Sequence, residues 1–384
     1  GNVRSFGTID NFEFVDATPL LGVTPTSGST LAFGPVLVGT TNNGDPGQNV
    51  NVENTGGGTL TGSYGGVTNG FNPTTAQGFS LPANATDNRV YNFAPTLRGA
   101  AADTLNITSD GGNAALNLTG QGVAPVADID TTSANAGNVR IGTSGTASVS
   151  IDNIGDGNLS GLGALSNLNG SLAAAAGAPF SGTGGAISLA DATGTTFNYA
   201  FTPTAHGDQA DLVALSLTNG HATGSNAAFS QDVTLAGRGV GPEYQSIVAP
   251  GGLLDFGQVN MPTLLQLQIT NATTDPNFGN LTDLTLISIN LAGAAGYSLP
   301  NFLPGTVLAA GDIYLLDVLF DPTVAMGLNP HTGTFTILTD QGAAFGNAGQ
   351  SFTYELSAII IPEPATGTLL ALASLCLVRR GKRR

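Results

Sequence analysis

Apolar residues recur at every second position along most of the chain, in short runs that glycine, asparagine and aspartate interrupt. Leu105 and Ile107 alternate with polar residues in one such run, and Val149 and Ile151 do so in another. A period of two places the apolar side chains on one face of a β-strand. The 3.6-residue period of long amphipathic helices is missing before position 365, so the sequence predicts an all-β protein.

The runs belong to a unit that occurs three times, with a period of about 100–120 residues. An apolar–Gly–x–Val step stands near the start of each unit, at 33–36, 136–139 and 256–259. A strand-like run then ends at an asparagine, at Asn54, Asn153 and Asn271. Farther on, a strand with a Phe–x–Pro sequence occurs at 93–95, 201–203 and 320–322, and we expect it to bury the phenylalanine. A further strand enters a polar turn at 105–110, 215–219 and 335–340.

A unit of this length is a whole domain rather than a solenoid repeat. About seven short strands per unit, without cysteines, indicate an immunoglobulin-like antiparallel sandwich. We therefore predict tandem immunoglobulin-like antiparallel β-sandwiches at 20–124, 125–241 and 242–361. Residues 1–19 are predicted to form an N-terminal strand segment, and residues 362–384 a separate C-terminal segment.

The repeated F-G-x-V, N-x-G and F-x-P motifs resemble those of the ASH (Hydin-like) family of immunoglobulin-like domains, which occur in bacteria as choice-of-anchor D regions. The resemblance extends roughly from position 23 to 361 and is clearest in the first unit. In the second unit Ala136 replaces the phenylalanine of the first motif. The resemblance implies the sandwich fold and a non-catalytic module, and it implies no ligand.

The last 23 residues differ in character from the rest of the chain. Pro362, Glu363 and Pro364 precede an uncharged apolar segment, 365–378. A basic end follows, with Arg379, Arg380, Lys382, Arg383 and Arg384. As a helix the segment is apolar on all sides and about 21 Å long at ~1.5 Å per residue, against a bilayer core of about 30 Å. We predict a short hydrophobic transmembrane helix that tethers the chain for a time, with the basic residues as a cytoplasmic membrane stop. The alternative, an amphipathic or core helix, leaves the basic end unexplained.

This order of elements closely resembles the PEP-CTERM sorting signal of Gram-negative and related bacteria, although the apolar segment is at the short end for that family. The resemblance covers 362–384, about 6% of the chain. It implies that Pro362, Glu363 and Pro364 are a processing site and that the partner is exosortase, a membrane transpeptidase. It also implies a transient contact with the inner membrane.

The charge balance and the cysteine content limit the class of protein. The chain has 26 Asp and Glu against ten Lys and Arg, and five of those ten lie in the last six positions. Such a surface repels phosphates, so we expect no nucleic-acid partner. The single cysteine, Cys376, lies in the apolar segment, so disulfides do not hold the predicted domains together. The chain begins with Gly1, as after removal of a signal peptide, although a fragment would also begin in this way.

Calcium is the one metal that the sequence suggests, and no other cofactor is expected. Asp152, Asp156 and Asn158 place oxygen ligands around glycines, in a loose likeness of a calcium loop. The corresponding residues 54–58 of the first unit contain no acid. A position shared by the units is explained more simply as a hairpin turn, and we prefer that interpretation.

Catalytic chemistry finds little support in the sequence. His206, His221 and His331 stand in turn-like contexts and are predicted to be exposed loop residues. The nucleophile motif Gly-x-Ser-x-Gly and the zinc motif His-Glu-x-x-His do not occur, so we do not expect an enzyme. Five tyrosines could stack on sugars, although we expect most of them to pack in the cores: Tyr64, Tyr91, Tyr199, Tyr297 and Tyr354.

Together these features predict an exported, non-enzymatic protein of the cell surface or of an extracellular, exopolysaccharide-associated biofilm matrix. Its domains would serve as a spacer or adhesive stalk that self-associates or contacts extracellular polysaccharide, while the C-terminal segment sorts and transiently anchors it. The alternative is an adhesion module that binds polysaccharide or calcium.

Overall fold

The computed structural model describes residues 18–130, 132–155, 167–221, 223–293, 295–325 and 329–361. These residues form three β-sandwiches, with nine strands described in each. The first sandwich contains β1 Leu21–Thr24, β2 Thr30–Leu37, β3 Gln48–Asn54, β4 Thr59–Tyr64, β5 Phe71–Asn72, β6 Gln77–Pro82, β7 Thr86–Phe93, β8 Gly99–Ser109 and β9 Gly112–Val123. The second contains β10 Ala127–Ile129, β11 Ser133–Arg140, β12 Gly145–Asn153, β13 Leu168–Leu172, β14 Phe180–Ser181, β15 Gly185–Leu189, β16 Gly194–Phe201, β17 Gly207–Leu217 and β18 Phe229–Val240. The third contains β19 Tyr244–Ser246, β20 Leu253–Val259, β21 Thr263–Asn271, β22 Leu284–Gly293, β23 Tyr297–Ser298, β24 Thr306–Leu308, β25 Ile313–Phe320, β26 His331–Thr339 and β27 Ser351–Ile360.

The sandwiches share one topology. In the first, a four-stranded sheet of order β1-β3-β7-β5 faces a five-stranded sheet of order β2-β9-β8-β4-β6. The orders β10-β12-β16-β14 and β11-β18-β17-β13-β15 repeat this arrangement in the second, and β19-β21-β25-β23 and β20-β27-β26-β22-β24 repeat it in the third. This strand order is that of an immunoglobulin-like sandwich, as predicted.

Two details of the predicted topology are wrong. Each sandwich contains one parallel pair, because β2 runs parallel to β9, β11 to β18 and β20 to β27. The turn after Asn54 is not a hairpin, since β3 pairs with β1 and β7 while β4 pairs with β6 and β8. The chain crosses there from one sheet to the other.

Helical structure is minor in the described residues, which contain two short 3-10 turns, Asn42–Gly44 and Gly279–Leu281. Within the described ranges no helix is long and apolar enough to cross a bilayer. The predicted C-terminal helix, and residues 1–17 of the predicted N-terminal strand segment, lie outside the described residues.

An aromatic pair occupies the core of every sandwich. The phenylalanine of the Phe–x–Pro motif is fully buried in each unit, as predicted. It packs against an aromatic ring from the short strand beside it, with ring centroids 4.7–4.8 Å apart: Phe93 with Phe71, Phe201 with Phe180, and Phe320 with Tyr297. The motif therefore marks the contact that joins the last strand of the four-stranded sheet to its neighbour.

The apolar–Gly–x–Val step is a β-bulge. The register of β2 against β9 shifts between Ala32 and Pro35, and equivalent shifts occur in the other two sandwiches. The glycines at the shifts have positive φ: Gly34 at 67°, Gly137 at 71° and Gly257 at 64°. Glycine adopts this conformation without a Cβ penalty, which explains why the motif requires it.

A buried asparagine ends the third strand of each sandwich. Asn54, Asn153 and Asn271 are at most 1% exposed. The Asn54 amide accepts the N–H groups of Leu20 and Gly56 and donates to the carbonyls of Gly58 and Leu81, at 3.1–3.3 Å. The Asn54 side chain thus connects the end of β3 to three other chain segments. The sequence had indicated only a turn at this position.

Candidate functional site

The sorting and membrane-stop residues named from the sequence lie outside the described residues. These are Pro362, Glu363, Pro364, Arg379, Arg380, Lys382, Arg383 and Arg384. Their roles therefore remain predictions.

One of the three candidate calcium ligands lies in the described part of the chain. Asp152 lies in β12, opposite Asp128 and Gly194, whereas Asp156 and Asn158 lie outside the described residues. Among the residues that the structure describes, no three His, Cys, Asp or Glu side chains are grouped as a metal site requires.

The candidate sugar-stacking tyrosines belong to the cores. Tyr64, Tyr91, Tyr199 and Tyr354 have no exposed surface, and Tyr297 is 8% exposed. Burial raises the pKa of each of these phenols, and it raises those of Tyr91 and Tyr297 to about 12. A ring without exposed surface cannot stack on a glycan, so this source of carbohydrate binding is removed.

The prediction of exposed loop histidines is correct for His206, correct in part for His221 and wrong for His331. His221 lies in a loop, where it is half-buried and contacts Thr223. His331 is buried in β26, where its ring is 5.8 Å from that of Phe320. His206 is an exposed loop residue, and its ring lies 2.9 Å from the Asp275 carboxylate of the next sandwich.

The candidate functional site is the junction between the second and third sandwiches. Arg140, the last residue of β11, extends into the third sandwich with 2% of its side chain exposed. Its Nε donates to the carbonyl of Ala343 at 2.8 Å. Nη1 donates to the carbonyls of Asn280 at 2.6 Å and Asp283 at 3.0 Å.

The carboxylate of Asp340 completes this contact. Arg140 Nη2 lies 3.1 Å from Asp340 Oδ2 and also donates to the Asp340 carbonyl at 3.3 Å. Asp340 has no exposed side-chain surface, and its carboxylate also accepts the N–H groups of Thr285 and Gly346 at 2.9 and 2.8 Å. Burial lowers the pKa of the Arg140 guanidinium, and the charge of Asp340 opposes that shift. The guanidinium has five N–H donors and makes five polar contacts, which is the arrangement that a buried charge requires.

A second set of charges lies at the rim of the junction. Arg238 Nη2 donates to Asp275 Oδ1 at 2.8 Å, while His206 Nδ1 lies 2.9 Å from Asp275 Oδ2. His206 Nε2 lies 3.7 Å from the carboxylate of Glu243. The second sandwich supplies the basic groups and the third supplies the acids.

The composition of the third sandwich explains why it supplies acidic groups and not basic groups to the junction. Positions 242–361 contain nine Asp and Glu and no Lys or Arg. Any cationic partner for its buried carboxylates must come from elsewhere, and Arg140 and Arg238 provide it. The junction is therefore electrostatically complementary as well as closely packed.

Close backbone approach also holds the junction. Gly142 has φ of 87°, and a Cβ at this position would overlap the backbone of Gly342 and Ala343. The loop that receives Arg140, residues 340–350, connects β26 to β27 and supplies Asp340, the carbonyl of Ala343 and the ring of Phe345. We call it the receiving loop of the third sandwich.

The second sandwich has an equivalent receiving loop, residues 218–228, between β17 and β18. Its Asn226 donates to the carbonyl of Val38 in the first sandwich at 3.2 Å. In the first sandwich the same connection is only Asp110-Gly111. Long connections thus stand at the two positions where a preceding sandwich is described.

The receiving loops start from a repeated structural position. Asp110 and Asp340 accept the N–H groups of Thr61 and Thr285, and Asn219 accepts that of Asn169. The residues equivalent to Arg140 after the bulge glycine are Leu37 and Asn260. Asp340 therefore occupies a position that holds a turn residue in the other two sandwiches, and at the junction with the second sandwich it forms a buried ion pair with Arg140.

Sequence reasoning missed this junction. Arg140 stands in a motif whose other copies carry Leu37 and Asn260, and Asp340 is 200 positions away. One signal in the sequence was the length of the connection between the last two strands of each unit, which differs between the units. The absence of Lys and Arg from the third unit was a second signal.

No protein-family model matches the chain, and no curated protein matches it significantly. A protein of unknown function from Porphyromonas gingivalis is 14% identical, with a TM-score of 0.24 over 61% of this chain and 99% of that protein. A three-Ig structure of titin is 9% identical, with a TM-score of 0.26 over 90% of this chain and 99% of its own. The cadherin domains 1–5 of protocadherin gamma B2 are 11% identical, with a TM-score of 0.33 over 90% of this chain and 60% of theirs. Similarity of this degree supports no family and no function, and the fold assignment depends on the strand order itself.

Proposed function

We propose that the protein is an exported, non-enzymatic stalk of the cell surface or extracellular matrix, sorted and transiently anchored by its C-terminal signal. The observation that carries the proposal is the buried Arg140–Asp340 pair, which joins two sandwiches by charge and hydrogen bonds at once. An interdomain contact that buries a fully paired charge disfavours other arrangements of the two domains, because an arrangement that keeps either group buried would leave it without its partner. A fixed domain arrangement suits a spacer.

The anchor part of the proposal depends on the C-terminal sequence. Its order of Pro-Glu-Pro, uncharged segment and basic end resembles the PEP-CTERM signal, so the partner we propose is an exosortase-type transpeptidase. The acidic composition of the rest of the chain agrees with an exported protein that remains soluble and does not bind nucleic acid.

The test of the anchor is replacement of Pro362, Glu363 and Pro364 by alanine in the full chain. We expect the variant to accumulate at full length in membranes, while the parent protein is released at lower mass. A matched control replaces Asp45 and Pro46, an exposed acid–proline pair in the first sandwich, and should be released normally. Unchanged release and mass of the triple variant would refute sorting by this signal.

A second variant separates sorting from membrane retention. Replacing Arg379 and Arg380 by alanine weakens the basic end but keeps Pro-Glu-Pro. We expect impaired retention of the precursor before processing, because fewer basic residues hold the segment at the cytoplasmic face. Cell fractionation followed by mass measurement distinguishes the two defects.

A further inference from the structure

The third sandwich exposes four apolar side chains at the end where the chain leaves it. Met261 is 64% exposed, Val324 53%, Leu264 47% and Ile361 41%. We call this set the distal apolar patch.

Backbone pairing places the four residues at one end of the sandwich. The N–H of Ile361 donates to the carbonyl of Val259, two residues before Met261. Leu264 pairs with Leu319 near the end of β25. Val324 lies four residues beyond Phe320, the last residue of that strand, with its N–H directed to the Asp321 carbonyl. The ends of β20, β25 and β27 and the start of β21 therefore meet here.

The same end of the other two sandwiches forms a junction. Four residues after the bulge glycine stand Val38, Ile141 and Met261. At the first junction, Val38 is 2% exposed and its carbonyl accepts a hydrogen bond from Asn226 of the second sandwich. At the second junction, Arg140, which precedes Ile141, extends from the second sandwich into the third. The position of Met261 is thus the third copy of a position at which the next sandwich makes contact in the first two copies.

The distance that the chain can span beyond this end limits which surface can cover the distal apolar patch. Three residues, 362–364, separate Ile361 from the uncharged segment 365–378. Even fully extended, the four steps from Ile361 to Ala365 reach at most about 14 Å. A segment inserted in a bilayer would therefore hold the distal apolar patch at the headgroup layer.

We infer that the distal apolar patch rests on the lipid surface in which the C-terminal segment is anchored. The inference depends on the proposed function, since it requires the segment in the bilayer. The contact is apolar rather than electrostatic, because the third sandwich has nine Asp and Glu and no Lys or Arg. The lipid it fits is a neutral, zwitterionic surface, in which the ends of Met, Val, Leu and Ile side chains enter the interface.

The test uses the full chain in phosphatidylcholine vesicles, with an environment-sensitive fluorophore on a single cysteine. One protein carries Met261→Cys and Cys376→Ser, so the label reports on the patch. The matched control carries Leu253→Cys and Cys376→Ser. Leu253 is exposed and begins β20, about 20 Å from the patch end at ~3.3 Å per residue. The parent protein labelled at Cys376 reports on insertion of the segment.

We expect vesicles to shift the Met261→Cys fluorescence to shorter wavelength, and lipids with a quencher at the headgroup to reduce it. The Leu253→Cys label should show neither change. Quenching at Cys376 without any change at position 261 would overturn the inference and leave the anchor intact. An unquenched Cys376 label would remove the anchor, and the inference with it.

Two further results would also overturn the inference. A Met261→Cys label that is already shielded before vesicles are added points to the segment 365–378 or to a second copy, which dilution separates. A response that appears only with anionic lipid contradicts an apolar contact. An equal or weaker response with anionic lipid supports it, because the acidic sandwich is repelled.

Discussion

The guanidinium of Arg140 and the carboxylate of Asp340 lie 3.1 Å apart across a domain junction, with 2% and 0% of their side chains exposed. Both groups are fully bonded by neighbouring backbone atoms as well as by each other. Burial of a pair costs desolvation of both charges, and only complete hydrogen bonding offsets that cost. The pair therefore specifies which loop the second sandwich contacts.

The first prediction concerns removal of this arginine. Arg140→Leu inserts the residue that the first sandwich has at the equivalent position, but it leaves Asp340 buried without its cation. We expect the third sandwich and its junction to lose about 3–5 kcal/mol. Calorimetric unfolding of the full chain, together with small-angle scattering for the domain arrangement, measures both effects.

Two comparisons make this prediction specific. Arg140→Lys retains the charge but not the planar five-donor group, so its effect should lie between those of Leu and the parent. Arg89→Leu removes a more exposed ion pair with Asp87 in the first sandwich and should cost at most about 1 kcal/mol. Equal stability of the Arg140→Leu and Arg89→Leu proteins would contradict a structural role for the buried pair.

The second prediction concerns the buried asparagine of the first sandwich. Asn54→Ala removes an amide that makes four hydrogen bonds and leaves several buried backbone groups without a partner. We expect a loss of about 2–4 kcal/mol, since each orphaned group costs about 1–3 kcal/mol. Asn49→Ala, at an exposed position of the same strand, should be nearly neutral in urea unfolding. A small effect at Asn54 would show that water replaces the amide.

Features that depend on neighbouring residues could be predicted from the sequence, whereas contacts between distant segments could not. Alternation and the Phe–x–Pro motif are local, and they correctly predicted β-strands and the buried Phe93 and Phe320, although nine strands rather than about seven are described in each unit. The parallel pairing of β2 with β9 joins residues 86–87 positions apart, such as Thr30 with Asn117, and no local pattern distinguishes it from antiparallel pairing. The role of Asn54 was missed because asparagine is common in turns, so a turn explained its position without a buried side chain.

The third prediction concerns the bulge glycine of the third sandwich. A Cβ on Gly257 would meet nothing within 4 Å, so the cost of substitution arises from its φ of 64°. Gly257→Ala should destabilise by about 1–2 kcal/mol. Gly257→Asn should cost less, because asparagine enters the left-handed region more readily than alanine. Equal costs for the two variants in urea unfolding would show that steric crowding, rather than backbone conformation, requires the glycine.

The fourth prediction concerns alkaline pH. All seven tyrosines have a raised pKa, with burial as the largest cause in each. A phenol whose pKa is higher in the folded state binds its proton more tightly there. Its contribution to stability is therefore complete below the unfolded value of about 10 and is lost as the pH rises through the folded value, about 12 for Tyr91 and Tyr297.

We expect little tyrosinate absorbance in the native protein up to about pH 10 and then ionisation coupled to loss of β-structure, measured by ultraviolet absorbance and circular dichroism. Two variants separate burial from hydrogen bonding. In the part of the chain that the structure describes, the buried Tyr91 hydroxyl has no hydrogen-bond partner, so Tyr91→Phe should be neutral or stabilising at pH 7. The Tyr64 hydroxyl donates to the Asp87 carbonyl at 3.0 Å, so Tyr64→Phe should cost about 1 kcal/mol. Native tyrosines that titrate near pH 10 without unfolding would contradict the buried positions of these rings.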